Sequence, residues 1–179
     1  AAAAILSIAL SGCATPPEPD PGRVDASWPA FPAADPSETV YRLDESASLM
    51  LARVDPEGPM ARLGHSHVIG GAVLSGRIVT GGAEPRSEVS VRVSDIEVDR
   101  PAWRREHGLE PELEASAIEG TRANVLGPEV LDAENFPTIE VRSVSIRGPE
   151  WLPDVEVAIR WRGRVEQFSL PVTVRRNGD

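Results

Sequence analysis

From about Thr39 the chain alternates apolar and polar residues with period two. "EVSVRVSD" (88–95) puts Val89, Val91 and Val93 on one side and Glu88, Ser90 and Arg92 on the other. "DVEVAIRWR" (154–162) sets Val155, Val157, Ile159 and Trp161 against Glu156, Ala158, Arg160 and Arg162. Strict alternation of this kind marks antiparallel strands with one face in water. "QFSLPVTV" (167–174) continues it through Phe168, Leu170, Val172 and Val174. Pro171 falls on the opposite side and has no backbone N–H to give a neighbour, which predicts an edge position or a bulge. "TIEVRSVSI" (138–146) runs in phase through Ile139 and Val141, then slips to Val144 and Ile146, as a bulge requires. Further strands are expected around 39–44, 47–55 and 65–80.

One region breaks the period. Between Pro111 and Asp132, Leu113, Ala117, Ile118 and Val125 recur at helical spacing, acidic residues come early, and Gly127-Pro128 supplies a stop. An all-β chain with one short helical insertion and hairpin-length connections elsewhere predicts a sandwich or a closed barrel. Small antiparallel barrels can close around a cavity wide enough for one ligand, and periodicity does not say whether this one is hollow.

The first forty residues follow another pattern. "AAAAILSIAL" is an uncharged apolar run, and "SGC" follows it. The sequence Leu10-Ser11-Gly12-Cys13 resembles the cleavage box of a bacterial lipoprotein signal peptide, with Cys13 available to carry a diacylglyceryl group. Residues 1–12 are then read as part of a signal peptide that the sequence enters partway. The run is too short for a spanning helix, which needs about 20 apolar residues. The alternative is a buried N-terminal helix with an incidental cysteine. Residues 13–38 are dense in proline, which blocks helices and sheet ladders and leaves an extended tether. Trp28 and Phe31, its only large apolar groups, are read as lining that linker, with docking on the domain or on a partner as the alternative. Ala14 after the cysteine, rather than Asp, resembles the pattern that sorts lipoproteins to the outer membrane. The expected location is therefore the periplasmic side of the cell envelope, lipid-anchored. Residues 39–179 form the expected domain.

Composition narrows the partners. A formal charge of −10 argues against nucleic acid, because a polyanion would be repelled. Aromatic residues make up only 4%, so the core must be built from Val, Leu, Ile and Ala. All 18 basic residues are Arg, which reads as a coding bias rather than a functional signal. A single cysteine excludes an internal disulfide and any Cys-x-x-Cys site.

Enzymatic patterns are thin: there is no nucleophile elbow, no phosphate-cradling glycine loop and no HExxH. His107 reads as a loop residue. His65 and His67, two apart in an expected strand, would share a face and could both approach one metal ion. No second His pair or Cys completes a ligand set, so three readings stay open: a metal site, polar contact to a ligand, or structure. Gly70-Gly71 beyond them suggests a bend or bulge.

The order of pieces resembles the YceI-like family. The pieces are "YRLDESASLMLARV" (41–54), "GHSHVIGGAVLSGRI" (64–78), "LDAENFPTIEVRSVSI" (131–146) and "VAIRWRGRVEQFSLPVTV" (157–174). The most specific of them is Asp132-Ala133-Glu134-Asn135-Phe136-Pro137-Thr138-Ile139, and the similarity covers about 39–176. The turn 161–166 and the longer helical insertion depart from the family pattern. The resemblance implies an antiparallel lipocalin-like β-barrel of about eight strands that holds a polyisoprenoid or other long-chain lipid, without cofactor. The expected cavity wall is Val91, Val93, Ile139, Val141, Val157, Ile159, Trp161, Leu170 and Val172, with His65 and His67 as polar contacts. A homodimer is compatible with this reading. The rival expectation is a metal-binding envelope protein, or a metal-dependent enzyme, centred on His65 and His67.

Overall fold

A computed structural model describes residues 28, 30–59, 61–109 and 113–175. Cys13, the signal-like run and most of the tether lie outside these residues. The described chain is mostly β, with nine strands in two antiparallel sheets and two helices. The strands are β1 (Thr39–Arg42), β2 (Met50–Val54), β3 (His67–Gly71), β4 (Leu74–Thr80) and β5 (Arg86–Arg92). After them come β6 (Glu97–Val98), β7 (Thr138–Arg147), β8 (Asp154–Trp161) and β9 (Arg164–Pro171). The helices α1 (Pro101–Glu106) and α2 (Ala115–Leu126) fall between β6 and β7.

The large sheet has the order β1-β4-β5-β7-β8-β9, and the small one β2-β3-β6. Among the described residues neither sheet closes on the other: β1 and β9 are edges of the first, β2 and β6 of the second. The strands follow the alternation closely. The expected slip in β7 is a register shift between Ser143 and Ser145. Pro171 ends the edge strand β9, where no ladder bond is lost. The expected continuous strand over 65–80 is instead two strands in different sheets.

A second helix corrects the expectation of one. Helix α2 occupies the expected insertion and stops at Gly127, whereas α1 is additional. It opens on Pro101, whose fixed φ suits the first helical turn and whose missing N–H would have had no partner there. Trp103 of α1 and Leu109 just beyond it seal the outer side of β3 by packing on Val68 and Leu51.

Cross-strand pairing places one apolar face on the large sheet. Leu74 opposes Val91, which opposes Ile139, and Val141 opposes Ile159. Farther along, Tyr41 opposes Ile78, Val157 opposes Phe168, and Val155 opposes Leu170. One end of this inner face is covered. Val73, Val91, Val93 and Ile96 form a buried cluster there, joined by Met50 and Ile69 of the small sheet, Leu126 of α2, Leu131 and Ile139. Within the small sheet β2 and β3 approach closely at Gly70, where an added Cβ would lie 1.9 Å from the Met50 carbonyl oxygen.

The outer face of the large sheet is charged. Arg77, Glu88, Arg142, Glu140 and Arg160 pair in sequence across β4, β5, β7 and β8. Two aromatic rings lie on this ladder. Trp28 sits over Arg142 and Arg160 with ring centroids 4.7 and 5.2 Å away, and Phe31 over Arg77 and Arg86 at 4.9 and 5.9 Å. Arg86 then clamps the following turn, donating to both carboxylate oxygens of Glu38 and to the Ala33 carbonyl. The segment read from sequence as free linker is therefore laid against the domain from Trp28 onward.

Candidate functional site

The inner face of the large sheet holds most of the expected wall. Val91, Ile139, Val141, Val157, Ile159, Trp161 and Leu170 share it, as the cross-strand register requires. Burial varies over this face rather than falling steadily along it: on β8, Trp161 near the covered end is exposed, whereas Val157 and Val155 toward the other end are buried. Val91 and Ile139 belong to the covered end, and Val155 and Val157 are also buried. Toward the other end Tyr41, Ile78, Phe168 and Leu170 are exposed, and Val89, Val141 and Ile159 are half-buried between them. An apolar strip thus leads from the core to open water across β1, β4, β5, β7, β8 and β9. Ser87 and Ser143 interrupt it, and the bulge explains why: the Ser87 N–H donates to Ser143 Oγ at 2.8 Å.

Two expected wall residues are elsewhere. Val93 lies in a 3-10 turn (Val93–Asp95) and is fully buried in the core cluster, because the strand ends at Arg92. Val172 follows the last residue of β9 and is half-buried outside the sheet. Tyr41, Ile78 and Phe168 join the strip without having been expected there. Phe168 was legible in the alternation, whereas Tyr41 and Ile78 needed the pairing of β1 with β4.

The two histidines separate. Strand β3 begins at His67, and His65 precedes it as an exposed residue, so the shared strand face is not formed. His67 Nδ1 lies 2.6 Å from Asp99 Oδ2. Asp99 is 0% exposed and holds a positive φ of 52°, a conformation Asp tolerates better than most residues. Its other oxygen accepts from the Val68 N–H at 3.0 Å and from Arg104 Nη1 at 2.9 Å. Its own N–H donates to the Val68 carbonyl at 2.7 Å. Arg104 is itself buried and also donates to the Ser66 carbonyl. Burial alone would push the Asp99 carboxyl up. The hydrogen bonds from His67, the Val68 N–H and Arg104, with the charge of His67, outweigh it and hold the group below the ordinary carboxylate range.

An ionised Asp99 accepts the Nδ1–H of His67 and so fixes the ring's tautomer and tilt, leaving Nε2 for anything that binds beside β3. His67 lies on the same face of β3 as Ile69, which packs on the core cluster. The arrangement gives one oriented imidazole with a carboxylate behind it. Among the described residues no group of three or more His, Cys, Asp and Glu is placed to hold a metal ion. His107 caps the C-terminus of α1, and its carbonyl accepts from Arg53.

Asp132, in the segment that carries the family resemblance, is a turn residue. It is buried with φ 49°, accepts from Asn135 Nδ2, and its carbonyl caps the N–H groups of Asn135 and Phe136. The turn delivers Pro137, whose carbonyl accepts from the Val93 N–H, and so starts β7 against β5.

A separate half-open hollow of about 280 Å³ is lined by Arg42, Leu43, Glu45, Ser75, Gly76, Arg77 and Glu88. Arg77 there pairs with Glu88. No protein-family model matches the chain, and no curated protein matches it.

Proposed function

We propose that this protein binds a long-chain lipid, a polyisoprenoid or similar, along the inner face of its large sheet. The observation that carries the reading is the apolar strip through Ile78, Val141, Ile159, Phe168 and Leu170, continuous with the core cluster and exposed at Tyr41, Ile78, Phe168 and Leu170. A flexible hydrocarbon is the natural occupant. It needs no hydrogen bonds, and each Å² of apolar surface it removes from water contributes about 25 cal/mol. The strip offers mainly hydrocarbon side chains; Ser87 and Ser143 interrupt it, the Ser87 N–H donating to Ser143 Oγ, and Glu166 and Arg164 border it on β9 opposite Ile159 and Trp161.

In the bound form the small sheet forms the opposite wall, giving the lipocalin-like barrel that the YceI-like resemblance implies. His67, oriented by Asp99, is then the polar contact at the wall. Lipidation at Cys13 and a position on the periplasmic side of the outer membrane belong to the same proposal. The reading assigns no catalytic step to any residue. The test is extraction of the purified full chain with organic solvent, followed by mass spectrometry. A long-chain lipid near one per chain is expected, and a chain that yields none, even after incubation with polyisoprenoids, would remove the reading.

A further inference from the structure

The two ends of the large sheet differ. At the covered end lie Leu74, Val91 and Ile139 in the core cluster. At the other end the antiparallel register gathers the β4–β5 turn, the β7–β8 turn and the segment after β9. The β7–β8 turn carries Trp151 and Leu152 at its tip, 68% and 57% exposed, more than any other large apolar side chains of the described residues. They are held in place rather than loose. The Leu152 N–H donates to the Pro149 carbonyl, the Val174 N–H to the Trp151 carbonyl, Gly148 turns the chain with φ 90°, and Pro153 behind them is buried. Val174 and Leu170, also exposed, continue the apolar surface from this tip to the mouth of the strip.

We propose that the Trp151-Leu152 turn is a bilayer-contacting tip, through which the open end of the apolar strip faces a membrane. Its shape selects this partner. A protruding turn buries little against a flat protein surface, but it enters the headgroup region, where an indole and an adjacent leucine are at home. Charge around the tip is balanced. Arg147 and Arg175 are exposed beside the tip and can meet lipid phosphates, while Glu150 and Asp154, also exposed there, balance them, so the contact rests on the indole and leucine with no net charge repelling a bilayer. The contact goes beyond the cavity reading and rests on it only for its purpose: a lipid could pass between bilayer and strip without crossing water.

The test uses the full chain and phosphatidylcholine vesicles containing brominated lipid, which quenches tryptophan fluorescence on contact. The apolar run 1–10 is common to all variants, so the reporter must be the tryptophan itself. Quenching is expected in the native chain and in Trp28→Phe, on the outer face of the sheet, and its main part is lost in Trp151→Phe, which keeps the tip apolar. Leu152→Glu, checked by an unchanged melting temperature, should raise the vesicle concentration for half-maximal quenching at least about fivefold. Absent quenching in the native chain, or quenching that survives Trp151→Phe, overturns the proposal. So does a Leu152→Glu variant that abolishes self-association while leaving quenching unchanged, since the tip would then join two copies. The cavity reading is judged separately by extracted lipid, so either can fail alone.

Discussion

Replacing Asp99 by Asn tests the fully buried carboxylate behind His67. The carboxylate is fully buried and serves the ring N–H of His67, the Val68 N–H and the Arg104 guanidinium with its two oxygens. The amide keeps the shape but offers one acceptor oxygen. If that oxygen stays with Val68 and Arg104, the NH2 faces His67, which can answer by changing tautomer. The loss then centres on Arg104, a buried cation that no longer faces the Asp99 charge. Breaking a buried pair in this way costs about 3–5 kcal/mol, and the His67 rearrangement favours the lower end, about 3 kcal/mol. Against a total stability of about 5–15 kcal/mol this is a large share. Urea unfolding of the full chain followed by circular dichroism should show the midpoint falling by roughly 1–3 M.

The loss should depend on pH with a defined sign. The folded-state pKa of Asp99 is depressed, so its contribution is complete above the ordinary carboxylate range and fades as pH falls through the folded value. The gap between the native chain and Asp99→Asn is therefore widest near neutrality and narrows in acid. A variant within about 1 kcal/mol of the native chain at pH 7, or a gap that widens in acid, would refute the reasoning.

Other perturbations address the remaining parts of the account. Gly70→Ala drives a methyl to within 1.9 Å of the Met50 carbonyl oxygen, so thermal unfolding should show a loss above about 3 kcal/mol or failure to fold. Trp28→Ala with Phe31→Ala removes the rings from the arginine ladder; limited proteolysis between Ala30 and Glu38 should accelerate while the sheet persists in circular dichroism. Ile159→Glu on the half-buried part of the strip should lower the extracted lipid per chain severalfold, whereas the outward Gln167→Glu should leave it unchanged.

The sequence made the strands of the large sheet legible because each buries one face against water, and the period of two records that directly. Strand β8 and the β7 slip are clear cases. The small sheet was hidden for the opposite reason. Strand β3 reads "HVIGG", covered on one side by α1 and on the other by the core, so it carries no clean alternation. Helix α1 has six residues, too few for a helical period, although Pro101 before Trp103 was a usable start signal. At the candidate site His67 stood out as a rare residue type, but Asp99 and Arg104 did not. Neither the burial of one carboxylate among 28 acidic residues nor the approach of an arginine five positions along has a local signature. Val93 was misplaced because the alternation continues for one residue after the ladder has ended.

The central claim is that the inner face of the large sheet holds a lipid chain, and photo-crosslinking tests it most directly. The full chain is incubated with a polyisoprenoid bearing a diazirine along its chain, irradiated, digested and mapped by mass spectrometry. The account predicts label on Val141, Ile159, Phe168 and Leu170 and none on the outward residues Arg142, Arg160 and Gln167 of the same strands. Label spread equally over both sets, or confined to the outward one, would contradict it.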